Sequence, residues 1–140
     1  MKEECLVAPP AVLEPVTQVR STLLQSSINS LRTHGHYERY LTVVDPAYRE
    51  VILGSLAPEW LPVAVAEAHY AACDALRLSP EEMQRIGEEV GDRIQGTFLG
   101  TIVKRARMLG LTPWVLLDHF ERLWGRLMVG GGVAVYRTAP

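Results

Sequence analysis

Cysteine is nearly absent from this chain, with only Cys5 and Cys73 among 140 residues. One possible bridge is not the dense framework that holds small secreted domains together, so both are expected to be reduced thiols. Aromatic residues are scarce at 7%, while Leu, Ala and Val abound, a composition that suits helices packed on helices better than a sheet sandwich. Neither sign of charge dominates: 14 basic and 16 acidic side chains leave a net charge of -2. That balance cannot create the broad positive field that non-specific nucleic-acid binding requires, which makes nucleic acid a poor partner. No window approaches the roughly 20 uninterrupted apolar residues that cross a bilayer. The opening Met1–Cys5 is charged where a secretory signal or a lipidated cysteine needs an apolar run. These absences predict a water-soluble, cytoplasmic protein with no membrane insertion.

What is present points to one domain. A hydrophobic share of 48% in 140 residues is enough for a single core and leaves no room for two. Residues 1–15 contain Pro9, Pro10 and Pro15, which remove backbone donors and disfavour helical angles before them, so this stretch is expected to be an extended leader. Residues 16–140 then read as a mainly α, compact bundle of about six or seven helices. Val19, Leu23, Leu24, Ile28 and Leu31 recur at helical spacing up to Gly35, which offers a left-handed stop. Tyr37, Tyr40, Leu41 and Val44 give a short second helix, and Asp45-Pro46 caps and opens a third. Pro58 and Pro62 bracket a corner containing Trp60, and Val65, Ala68, Ala72 and Leu76 mark a fourth helix whose small residues suit a central position.

The sharpest local signal is Ser79-Pro80-Glu81-Glu82: a capping serine, a proline at the first turn, and a glutamate placed to complete a capping box. Met83, Ile86, Val90 and Ile94 form the apolar face that follows. Gly87, Gly91, Gly96 and Gly100 interrupt this segment, each costing up to ~1 kcal/mol against Ala, so close helix contact or a break near Gly96 is expected. Thr112-Pro113 opens a last amphipathic helix, in which Leu116, Leu117, Phe120, Leu123, Trp124 and Leu127 face inward. Gly130-Gly131-Gly132 ends it, and residues 133–137 alternate in strand fashion. One strand cannot satisfy its own backbone, so its partner is either another chain or strands that lie beyond Pro140.

Taken in order, the serine-rich helix over Leu23–Leu31, Asp45-Pro46, Ser79-Pro80-Glu81-Glu82, Gln95-Gly96-Thr97-Phe98-Leu99-Gly100, Thr112-Pro113-Trp114 and Gly130-Gly131-Gly132-Val133-Ala134-Val135-Tyr136 resemble a paralogous family of uncharacterised myxobacterial proteins. The likeness covers roughly residue 16 to the end. In that family further short strands follow the glycine run, so the resemblance implies a shortened C-terminus here. It brings no established activity. A helical half followed by a small sheet is similar in outline to the ligand-binding domains of nitric-oxide signalling and vesicle-tethering proteins, an analogy of architecture that does not fix function.

The residues that bear chemistry are dispersed. His34 and His36 flank Gly35, where a cationic imidazole favours the negative end of the first helix; a pair with one intervening residue lacks zinc-ligand spacing. His69 and His119 each lie on a predicted helix beside an aromatic residue and are the candidates for axial haem ligands, although a helical histidine is more commonly hydrogen-bonded or partly exposed. Glu81 and Glu82 are explained by capping, and Glu88, Glu89 and Asp92 by a solvated face near Arg85 and Arg93. Ser21, Ser26, Ser27 and Ser30 lack a nucleophile-elbow context, and Cys73 reads as packing. The glycine run precedes a strand, the reverse of a phosphate-cradling loop, and reads as a hinge or helix stop.

The leading expectation is therefore a non-enzymatic interaction or regulatory domain, self-association included. It would present Val133, Val135 and Tyr136 of the terminal strand, with the basic residues Lys104, Arg105 and Arg107, to a protein partner. No cofactor is required. The alternative is a sensory pocket for an apolar small molecule or haem, lined by Trp60, His69, Phe98, Phe120 and Trp124. An enzyme using His69, Cys73 or the acidic helix comes third.

Overall fold

The computed structural model describes residues 3–94, 100–110, 117 and 119–138. The described chain is mainly helical. Strand β1 (Glu4–Val7) precedes β2 (Gln18–Arg20), which leads into helices α1 (Ser21–Thr33), α2 (Tyr37–Val43) and α3 (Pro46–Gly54). Strand β3 (Trp60–Pro62) feeds α4 (Val63–Ala75), followed by α5 (Pro80–Ile94), α6 (Gly100–Met108) and α7 (Phe120–Leu127). Strands β4 (Met128–Val129) and β5 (Val135–Arg137) complete the order. No helix among the described residues is long and apolar enough to cross a membrane.

Helix α1 is the axis on which the others pack. Leu24, Ile28 and Leu31 are essentially inaccessible, and Ser21 and Ser30 on the same helix are buried as well. The serines let neighbouring backbone come close, and their hydroxyls find partners there. Ser21 Oγ donates to the Leu56 carbonyl at 3.1 Å and accepts from Glu59 N–H at 2.9 Å. Gln25 Nε2 donates to the carbonyls of Ile52 and Ser55, both at 3.0 Å, satisfying groups at the C-terminal end of α3. Tyr40 of α2, Ile52 of α3 and Val65, Ala66, Ala72 and Leu76 in and just after α4 close the core around α1.

The local start signals operate as the sequence predicts. Asp45 Oδ1 accepts from Ala47 N–H at 2.9 Å with Pro46 at the first turn of α3. Ser79 Oγ accepts from Glu82 N–H at 3.2 Å, while the Glu82 carboxylate reaches back to Ser79 N–H at 3.3 Å. The reading of one helical bundle with a single strand-like tail needs correction, because among the described residues five short strands form two small antiparallel sheets. In the first, β2 lies between β3 and β4, with Val19 opposite Leu61 on one side and Met128 on the other. In the second, β5 pairs with β1. The terminal strand thus finds its partner inside the chain, in the leader, where the proline-free stretch Glu4–Val7 retains its backbone donors.

Two glycine expectations also change. A Cβ at Gly87 or Gly91 would meet nothing within 4 Å among the described residues, so no close helix contact there calls for these glycines. The close approach occurs instead at the run 130–132, where the leader crosses. Gly130 and Gly131 have φ of +82° and +67°, and a Cβ on Gly130 would collide with the Pro15 carbonyl. Gly96 and the Thr112-Pro113 helix start lie outside the described residues.

Candidate functional site

His69 projects from the middle of α4 into the space between α1 and α2 and is wholly inaccessible. The small neighbours Ala66 and Ala72 on the same helix leave room for an imidazole, and polar groups from two other helices meet it. Tyr40 Oη lies 2.7 Å from Nδ1 and Ser27 Oγ 3.0 Å from Nε2. Cys73, one turn further along α4, places Sγ 3.6 Å from the same Nε2. The Tyr40 and His69 rings meet edge-on at 5.4 Å, and Tyr70 adds a second edge contact at 5.0 Å.

Burial decides the protonation states. It lowers His69 to about 4, keeping the imidazole neutral. It raises the Tyr40 phenol and lifts the Cys73 thiol to about 11. A protonated phenol donates to Nδ1; the ring proton then sits on Nε2 and points to Ser27 Oγ. With the imidazole neutral and the thiol protonated, the pair is far from the thiolate–imidazolium couple that makes a cysteine strongly nucleophilic. The cluster is a satisfied polar network, and both ring nitrogens of His69 are committed before any iron could be offered one.

The outer edge of this network opens on a cleft of about 240 Å³ between α1, α4 and α5. Ser27 and Leu31 come from α1, Tyr70 and Cys73 from α4, and Met83, Ile86 and Val90 from α5. Its surface is mostly apolar, with Asp74, the Cys73 thiol and the Ser27 hydroxyl among its polar points. Gly87 of α5 also faces it.

The opposite edge of α5 is held by polar contacts. Ser30 Oγ donates to Glu89 Oε2 at 2.8 Å, and His34 Nε2 lies 2.7 Å from Glu89 Oε1. Arg93 Nη1 donates to the Ser26 carbonyl and to Ser30 Oγ, both at 2.7 Å. His36 Nε2 is 3.2 Å from Glu82. The hydrogen bonds from His34 and then Ser30 hold the Glu89 carboxyl below its usual range, and the Ser79 backbone N–H does the same for Glu82. Glu89 and Arg93, expected on a solvated face, are therefore the fasteners of α5. His34 and His36 reach across to its carboxylates rather than acting on the α1 terminus alone.

The residues expected to line one aromatic pocket are spread over the molecule. Trp60 lies under the Arg20 guanidinium, 4.0 Å from it. Trp124 donates its indole N–H to the Gly130 carbonyl at 2.9 Å. Phe120 is 37% exposed, and Phe98 lies outside the described residues. His119 stands at the start of α7, and its Nδ1 is buried without a hydrogen-bond partner among the described residues. Among the described residues no three His, Cys, Asp or Glu side chains are placed to hold a metal ion. Lys104, Arg105 and Arg107 are exposed on α6, Val133 and Val135 are half-buried, and Tyr136 is half-exposed on β5. The sequence reading missed Tyr40 and Ser27 as partners of His69. No family model matches the chain, and neither a curated protein nor a solved structure matches it.

Proposed function

We propose that the protein is a non-enzymatic sensory domain, cytoplasmic, that holds an apolar small molecule in the cleft between α1, α4 and α5. The observation that carries this reading is the arrangement of α5. Its polar edge is fastened to α1, while Met83, Ile86 and Val90 border a gap that core side chains do not fill. An engineered cavity of about 150 Å³ accommodates benzene, or roughly 25 Å³ per carbon. At that ratio the cleft takes about ten carbons. A ligand there touches α5 directly, so occupancy alters a helix whose other edge is fastened by polar bonds, and a protein partner reads the change. The exposed bases Lys104, Arg105 and Arg107 on α6 offer such a partner an acidic-surface contact. Membership of the myxobacterial family that the motif order resembles belongs to the same proposal and adds no activity to it.

The test uses 1-decanol as probe and Gly87→Leu as the blocked form. A leucine at 87 extends into the cleft from a Cβ that meets nothing within 4 Å among the described residues, and it improves helix propensity. Decanol is expected to raise the thermal midpoint of the wild-type chain, as any ligand of the native state does. It should also slow labelling of Cys73 in a Cys5→Ser background. Gly87→Leu should be folded, at least as stable, and indifferent to decanol. Absence of both effects in the wild type, or an equal midpoint shift in Gly87→Leu, refutes the reading.

A further inference from the structure

The pairing of β1 with β5 makes the leader a strap with two separable anchors. The outer anchor is the strand pairing itself, with Glu4 opposite Arg137, Cys5 opposite Tyr136 and Val7 opposite Val135. The Glu4 and Arg137 side chains add an ion pair at 3.9 Å. Next to it, Pro10 lies over Gly132 so closely that a Cβ there would be 2.5 Å from the proline ring. The inner anchor is the hydrogen bond from Gly131 N–H to the Glu14 carbonyl at 2.6 Å, continued by Thr17 N–H to the Val129 carbonyl at 2.9 Å. Between the anchors the chain bends at Ala11 and Val12. Here Val12 and Leu13 are 74% and 68% exposed, side by side on the bend.

We propose that two copies of this chain exchange their outer anchors, β1 and Pro10 of each seating on β5 and Gly132 of the other. Opening the bend at 11–13 requires no change in the inner anchor or the helical body. Every contact of the outer anchor is then remade with the same residues of the second copy, so the exchange forfeits none of them. The occupant is a second copy because the seat fits this strap: an arginine opposite Glu4 and a side-chain-free position under Pro10. The straightened linkers carry Val12 and Leu13 into the only new interface, where two apolar side chains exposed in the closed form become covered. Self-association thus arises by trading a pairing the chain already makes, rather than from an unpaired strand.

Register supplies the test. Residues opposite each other in an antiparallel pair have Cα atoms about 4.5–5.5 Å apart, within disulfide range. Tyr136→Cys in a Cys73→Ser background therefore allows Cys5 to link the strap to its seat. The protein is unfolded, refolded at low and high concentration, oxidised, and separated without reductant, and linked peptides are identified by mass spectrometry. The expected result is a covalent dimer in which Cys5 of one copy is joined to the thiol introduced at position 136 of the other, its share rising with concentration. A link confined within single chains at every concentration, or dimers joined only through like cysteines, overturns the proposal. If oxidation yields no link, light scattering on refolded unmodified protein decides. A concentration-dependent dimer that Gly132→Val abolishes supports exchange. A wild-type monomer throughout, or equal dimerisation of Gly132→Val, refutes it.

Discussion

Replacing His69 by glutamine and following stability between pH 6.5 and 5 isolates the buried network. His69 drops from an ordinary 6.5 to about 4 in the folded protein, because burial penalises the cation. Between those values the unfolded chain binds more protons than the native one, so stability falls as the solution is acidified. The contribution is complete above pH 6.5 and fully lost once the pH has passed below about 4. Linkage over that window gives a loss of about 2 kcal/mol at pH 5 and about 3 kcal/mol at pH 4 from this one ring. The Glu82 and Glu89 carboxyls are both held low, and their contributions fade at lower pH, which favours pH 5 for the comparison. Urea denaturation at the two pH values measures the wild-type slope; the same pair of curves for His69→Gln removes the His69 part. Contributions shared by the two proteins cancel in the difference. A slope unchanged by the substitution refutes a neutral, buried imidazole. An NMR titration of the wild-type ring checks the point independently: a ring that protonates near 6.5 contradicts the burial argument.

Two further substitutions probe the glycines. Gly91→Ala is expected to stabilise the fold by up to ~1 kcal/mol, since its Cβ meets nothing within 4 Å among the described residues and the helix interior gains propensity; a loss in thermal midpoint refutes the view that no close contact requires this glycine. Gly131→Ala should destabilise by about 1 kcal/mol or more, because φ is +67° and the new methyl would lie 2.7 Å from Val16 Cγ2 and 2.9 Å from the Trp124 ring. Limited proteolysis within residues 3–13 reads the same change as earlier cleavage, and an unaltered digestion pattern and midpoint contradict the seat described for the leader.

The parts of the fold legible in the sequence are those governed by neighbours along the chain. Asp45-Pro46 and Ser79-Pro80-Glu81-Glu82 work within one turn, so residue type and spacing suffice to place α3 and α5. The partner of β5 lies at the other end of the chain, and nothing local in Glu4–Val7 names it. Three prolines make the leader read as merely extended. A second signal is present but ambiguous: three successive glycines mark either a flexible stop or a place where another segment comes within van der Waals reach. Only the crossing of Pro10 and Pro15 decides between them.

The candidate site escapes the sequence for a related reason. Hydrophobic periodicity locates what a helix buries when the buried residues are apolar, and α1 buries Ser21, Ser26, Ser27 and Ser30 along with its leucines. On α5 the fasteners Glu89 and Arg93 stand at i and i+4, the spacing of Ser26 and Ser30 on α1, so two polar ladders face each other where a solvated face was expected. A seam built this way positions α5 by directed bonds in addition to the packing of Ile86 against the core. Met83, Ile86 and Val90 can then remain beside open space, because the bonds on the far edge set the distance between the helices. Cys73, i+4 from His69 on α4, lines that space with Ser27 and Asp74 and links it to the buried imidazole. The cleft thus follows from substituting hydrogen bonds for apolar contact on one edge of a helix, a change that patterning by hydrophobicity alone does not register.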